Sequence, residues 1–219
     1  MSALAARMRP EYGPSLPRLL APRWSRASRL TRAAVVGAIA LLLAAALAAG
    51  LTLENAHYAH GGSVRFSFEY RDLYRVRPEA GGYVRVQSDY ANGALKYSYA
   101  VAPLSVPAYT GAVQGEMPLY AGRFIAGLAR RYRGFVLRGE GKTKVNNTLI
   151  GYQVAFTADV RGAEMYGRDV LFTRPVAHPR AGVVVSMLAA PAANASVHSP
   201  LEVAESGVLL RPLKTLTLG

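Results

Sequence analysis

The chain has no cysteine. That absence removes disulfides, zinc-thiolate sites, thiol nucleophiles and redox pairs. It also removes the residue that a lipoprotein anchor modifies. Acids are scarce: 13 Asp and Glu stand against 26 Lys and Arg, for a formal net charge of +13. Few acids leave few candidates for paired-carboxylate chemistry. The four histidines are His57, His60, His178 and His198. Two of them three residues apart are too few ligands for zinc, so no metal is expected. Neither a glycine-rich phosphate loop nor the glycine-flanked serine of a nucleophile elbow occurs, so no cofactor is expected either.

What the chain does have is a long uncharged run. Residues 33–53 read AAVVGAIALLLAAALAAGLTL. About 20 apolar residues span the hydrocarbon core of a bilayer. The 32 residues before the run carry seven arginines against one acid, Glu11. Arginine on one flank predicts a cytoplasmic N-terminus and an exported C-terminal part. The expectation is a single-pass protein of the plasma membrane. A cleaved signal peptide is the alternative, since Ala45 to Gly50 offers small-residue cleavage patterns. Signal h-regions are shorter, about 7–15 residues, and lie nearer the start of a chain. The anchor is therefore preferred.

Four segments follow: a basic tail over 1–32, a transmembrane helix over 33–53, a linker over 54–62 and an exported domain over 63–219. Pro10, Pro14, Pro17 and Pro22 predict a disordered tail. Its arginines suit anionic lipid headgroups, so nucleic acid is not an expected partner.

Past the linker the pattern changes to a period of two. Val64, Phe66, Phe68 and Tyr70 alternate with polar residues and predict a half-buried strand. Two further strands, 84–89 and 95–101, flank Asn92-Gly93, which predicts a type I′ hairpin. Residues 103–116 read as a loop. Residues 117–132 take helical spacing, with Tyr120, Ala121, Phe124, Ile125, Leu128 and Tyr132 on one stripe. Residues 135–137 predict a short strand, followed by turns through Asn146-Asn147. Strands follow over 148–160, 165–173 and 183–188, the last apolar on both faces as a central strand is. Ser199-Pro200-Leu201-Glu202 has the form of a capping box and predicts a helix ending before Pro212. The order gives an α+β fold: an antiparallel sheet with two helices on one face, preceded by the transmembrane helix.

The 13 tyrosines include Tyr97, Tyr99, Tyr120 and Tyr152 in predicted elements. With Arg123 they are candidates to line a ligand or partner groove between the sheet and its first helix. The plainer role for such tyrosines is to bury the ring and expose the hydroxyl. Asp159, Glu164 and Asp169 lie around the Arg161-Gly162 turn. They read as the salt-bridged surface of a hairpin, paired with Arg161 and Arg168, rather than as a catalytic set.

Several local patterns resemble the PsbP-like superfamily, which includes Ran-binding Mog-type and actinobacterial LpqN-like envelope proteins. They are Phe66-Ser67-Phe68-Glu69-Tyr70, the helix over 117–132, Leu149-Ile150-Gly151-Tyr152-Gln153-Val154, Gly167-Arg168-Asp169-Val170-Leu171-Phe172, and Val183-Val184-Val185-Ser186 before a terminal helix. The resemblance covers about residues 63–210. It implies a non-catalytic binding or assembly module and offers no catalytic residues. The expected role is thus an extracytoplasmic binding or accessory protein with a protein partner in the envelope. Two alternatives remain. One is a hydrolase using Asp159, Glu164 or Asp169. The other is a structural subunit acting through its transmembrane helix, where Ala45, Ala49 and Gly50 would allow close packing.

Overall fold

The structure, a computed structural model, describes residues 28–52, 56–61, 64–107, 113–173, 180–193 and 197–219. The expected tail up to residue 27, and His178, lie outside the described residues. The chain divides into two units, 1–54 and 55–219.

The first unit is built on helix α1 (Arg29–Thr52). Ser28 caps it: the Thr31 backbone N–H donates to Ser28 Oγ at 3.2 Å. Leu30, Val36, Ile39, Leu41 and Leu42 are exposed along it. Among the described residues no helix is long and apolar enough to cross a membrane. Side chains of α1 are described only as far as Leu42, whereas the expected span runs to Leu53. The helix is therefore seen, and the membrane crossing is not.

The second unit is mostly β. Its main sheet has seven antiparallel strands in the order β3-β4-β5-β9-β8-β7-β6. These are β3 (Tyr74–Val76), β4 (Val84–Asp89), β5 (Leu95–Val106), β6 (Arg133–Val145), β7 (Leu149–Val160), β8 (Ala163–Thr173) and β9 (Arg180–Ala189). A second sheet of three strands has the order β1-β2-β10, from β1 (Ala56–His60), β2 (Phe66–Tyr70) and β10 (Thr217–Leu218). Helix α2 (Val113–Arg131) and the short α3 (Leu210–Lys214) complete it.

Strand alternation sorts the core into two clusters, one on each face of the main sheet. Val183, Val185 and Met187 of β9 join Tyr97, Tyr99 and Val101 of β5 on one face. The small sheet and the C-terminal segment cover that face, through Phe66, Phe68, Leu209 and Leu213. Val184 and Leu188 point the other way, with Val154 and Phe156 of β7, and pack with Ala121 and Leu128 of α2. β9 is the fourth of the seven strands, as its two apolar faces predict.

Two helices on one face is thus corrected to one helical element on each face. The terminal helix is corrected as well. Residues 200–202 form a single 3-10 turn, and Ser199 makes no side-chain cap hydrogen bond. The reciprocal bond of the box is displaced by one residue, since Glu202 Oε2 accepts the N–H of His198 at 2.7 Å and not that of Ser199. Ala204 and Gly207 then take positive φ, at 66° and 72°, which ends any helix. Burying Val203, Leu209 and Leu216 against the sheet outweighs the local helix signal. Pro212 lies inside α3, in its first turn, where a missing N–H is tolerated.

Three more expectations change. The linker over 54–62 contains strand β1, which carries His57 and His60. His60 lies over the rings of Phe66 and Tyr83, at centroid distances of 5.0 and 4.2 Å. The turn-rich stretch after Leu137 is the long edge strand β6. It carries two register shifts and little apolar alternation because much of it faces solvent. The type I′ geometry belongs elsewhere. At Asn92-Gly93 only the glycine has positive φ. Ala94 N–H there donates to Asn92 Oδ1 at 3.0 Å, in a longer loop. Asn146 and Asn147 take φ of 55° and 56°, and Thr148 N–H donates to Val145 O at 3.2 Å, closing the β6–β7 hairpin.

Arg168 fastens the C-terminal segment to the sheet. It is buried, and its Nη1 donates to Val203 O at 2.9 Å and to the Glu205 carboxylate. Its Nε donates to Gln153 Oε1 at 3.1 Å. Arg168→Ala is expected to destabilise by about 2 kcal/mol or more, since it strands a buried carbonyl. Glu205→Gln should lose less than about 1 kcal/mol, because Glu205 is largely exposed and its charge is screened. Urea unfolding of both variants checks the ranking.

Candidate functional site

A row of paired residues crosses the main sheet on the α2 side. Arg85 of β4 pairs with Ala100 of β5, Ala100 with Ser186 of β9, and Ser186 with Asp169 of β8. Paired residues in an antiparallel sheet share a face, so these four project together. Ala100 and its neighbour Ala102 are small, and the sheet surface is low there. The result is a pocket of about 300 Å³. The turn over 78–82 forms one wall, and Arg131 and Tyr132 at the end of α2 form the other. Gly82 is tight in that turn: a Cβ there would meet Glu79 O at 3.2 Å.

The polar groups of the pocket are mutually oriented. Arg85 Nε donates to Ser98 Oγ at 3.1 Å. Arg85 Nη1 lies 3.5 Å from Glu79 Oε1, and Glu79 Oε2 pairs with Arg131 Nη2. One carboxylate therefore bridges two guanidiniums at the pocket mouth. Partial burial, and then the charge of Arg161, push the Arg85 pKa down from its ordinary value.

Asp169 sits behind this pocket. Burial pushes its carboxyl up to about 7, and the hydrogen bond with Ser186 and the charge of Arg131 only partly oppose that. Burial also raises the Tyr132 phenol, with the charge of Asp169 adding to the effect. Asp169 does not itself line the pocket, whereas its partner Ser186 does. The surface hairpin expected for the three acids is thus corrected at Asp169. Asp159 and Glu164 are exposed and pair with each other across the hairpin, but Asp169 is buried. Arg168, its expected partner, points to the opposite face and pairs with Glu205.

The proposed tyrosine groove is not assembled as one site. Tyr97 and Tyr99 face away from α2. Tyr97 OH donates to Ala193 O at 2.7 Å, and Tyr99 OH to Pro212 O at 3.2 Å. Both have the plainer role of a buried ring with a satisfied hydroxyl. Tyr152 is buried on the α2 side, Tyr120 is half-buried on α2, and Arg123 is exposed. None of the five lines the pocket described above. Among the described residues, no group of three or more His, Asp or Glu is placed to hold a metal ion.

The residues in and behind the pocket left one signal in the sequence. Asp169 is in phase with Met165 and Leu171, which belong to the apolar α2 face of β8. An acid in phase with core residues of a strand marks a buried carboxyl. Arg85 and Ser186 carried no such mark, because which strands adjoin was not legible.

By sequence, no protein family and no curated protein matches the chain. By structure, the chain is similar to LpqN, involved in cell envelope biogenesis of Mycobacterium tuberculosis. The identity is 9%, the match covers 75% of this chain and 91% of that one, and the TM-score is 0.50. The second unit is therefore an antiparallel α+β domain with an LpqN-like fold. A protein of unknown function from Pseudomonas aeruginosa, PA94, aligns at 14% identity over 64% of this chain and 85% of that one, at a TM-score of 0.33.

Proposed function

We propose that the chain is a single-pass membrane protein that holds an LpqN-like binding domain outside the plasma membrane. There it acts as a non-catalytic accessory subunit of a cell-envelope complex. The observation that carries the binding role is the pocket between the 78–82 turn and the end of α2. It offers guanidinium and hydroxyl donors above a sheet of small side chains. Support for the anchor comes from the uncharged run over 33–53, the arginines before it, and the continuous helix from Arg29 to Thr52. Support for an envelope role comes from the fold shared with LpqN. The basic tail meets anionic headgroups at the cytoplasmic face.

Fractionation tests the anchor. The full chain should stay with membranes through alkaline carbonate and leave them only with detergent. Purification in detergent from native membranes should then retain a defined protein partner. Release by carbonate, or the absence of any retained partner, would remove the corresponding half of the reading.

A second reading, an envelope hydrolase, is favoured by Asp169 alone, whose carboxyl titrates near neutrality behind Ser186. It requires Ser186→Ala and Asp169→Asn to abolish a measurable ester or amide hydrolysis.

A further inference from the structure

The Pro78–Gly82 turn presents Glu79 to the pocket mouth, where its carboxylate bridges Arg85 and Arg131. We infer that Glu79 occupies the place of a ligand carboxylate, and that the pocket takes a small organic acid with a short apolar tail, admitted when Glu79 swings out. This rests on the binding role proposed above and names its ligand class.

Four observations carry it. The two guanidiniums come from separate elements, β4 and the end of α2, and converge on one carboxylate. Arg85 is held in place by Ser98, so its remaining donors are oriented before any ligand arrives. Below them the floor is apolar, with Ala100, Ala102 and Leu188 flanking Ser186. The volume of about 300 Å³ lies at the small end of ligand pockets, which fits an acid of a few carbons.

Glu79 is well suited to leave. It is 58% exposed, and Arg131 is 51% exposed, so the pair is screened and held weakly. The turn that carries it has Gly81 at φ 83°, a left-handed position that glycine adopts freely, beside Gly82. Departure leaves Arg85, only 14% exposed, without its acidic partner. An incoming carboxylate restores that pairing, and its tail covers the alanines.

Titration calorimetry of hexanoate into the full chain in lipid nanodiscs tests the inference. Hexanol serves as the neutral control. Partition into the disc is common to all variants and subtracts out. Glu79→Gln removes the competing carboxylate and should tighten hexanoate binding about fivefold, the scale of a screened ion pair. Arg131→Gln, at an exposed position that tolerates change, should weaken it at least tenfold, as should Arg85→Gln. Hexanol should bind alike in all forms. The inference falls if hexanoate binds neither the wild type nor Glu79→Gln with a Kd of about 1 mM or tighter. It falls equally if binding is unaltered by Glu79→Gln or Arg131→Gln. Carbonate extraction and partner retention report on the anchor and the accessory role separately. A protein that keeps its partner and ignores hexanoate overturns only this inference.

Discussion

Asp169→Asn should stabilise the domain at pH 8 and change little at pH 4. In the folded chain the carboxyl is raised from 3.8 to about 7, with burial as the main cause. The folded state therefore holds its proton more tightly than the unfolded state. Below about pH 4 both states are protonated and the burial carries no charge penalty. Between about 4 and 7 only the folded state keeps the proton, and stability falls as pH rises. Above about 7 both states are ionised and the full penalty applies. The gap between the two values corresponds to about 4 kcal/mol as an upper bound. Asparagine has the same shape, has no charge, and can still accept the Ser186 hydroxyl. Urea unfolding of the full chain across pH 4 to 8 reads the effect. Wild-type stability should decline over this window apart from other titrations, and the variant should lack that share of the decline. Parallel curves for the two proteins would mean that Asp169 is solvated or ion-paired in the folded state.

Gly167→Ala should cost about 3 kcal/mol, for a different reason. Gly167 of β8 pairs with Phe156 of β7, and a Cβ on residue 167 would meet Phe156 Cζ at 2.3 Å, well inside van der Waals contact. The ring has no room to retreat. It is fully buried, with Tyr132 and Phe135 rings at centroid distances of 5.6 and 5.2 Å. Overpacking a full core forces side chains off their rotamers or shifts the backbone, at about 1–3 kcal/mol or more. For a domain of this size the melting temperature should drop by roughly 6–12 °C. Phe156→Leu alone should also destabilise, by about 1–2 kcal/mol. Combined with Gly167→Ala it should recover part of the loss, since the smaller side chain clears the new methyl. Calorimetric melting of the four proteins gives the coupling. A shift under 2 °C for Gly167→Ala, roughly half a kcal/mol, would show that the ring slides aside at little cost.

Both expected results depend on strand neighbours, which are tertiary facts. From the sequence, the strands over 66–70 and 84–89, the strand starting at Leu95, and those over 149–160 and 163–173 were legible within a few residues. The first three bury one side more than the other and alternate visibly, whereas β7 and β8 are buried on both faces and were marked by their β-branched and aromatic residues. The helix over 117–132 was legible from its apolar stripe, though it starts earlier, at Val113. Of β6 only the start, over 135–137, was legible, because the rest of this edge strand faces solvent and shows little apolar alternation. The C-terminal segment was misread because a capping pattern is a local preference of about a kcal/mol, and burying Val203, Leu209 and Leu216 overrides it.

The sequence by itself determined the absence of thiol chemistry, the charge-free run with its arginine flank, the antiparallel α+β class and the central position of β9. Those follow from composition and period, which each segment carries alone. The tertiary structure decided which face each tyrosine takes, that Asp169 is buried while Asp159 and Glu164 are not, and that Arg85, Arg131 and Glu79 meet. The reason is physical. A period of two says that successive side chains point to opposite faces, but only the strand order says what each face looks at. Four residues from four strands, separated by up to about a hundred positions, become one row only once β9 inserts between β5 and β8.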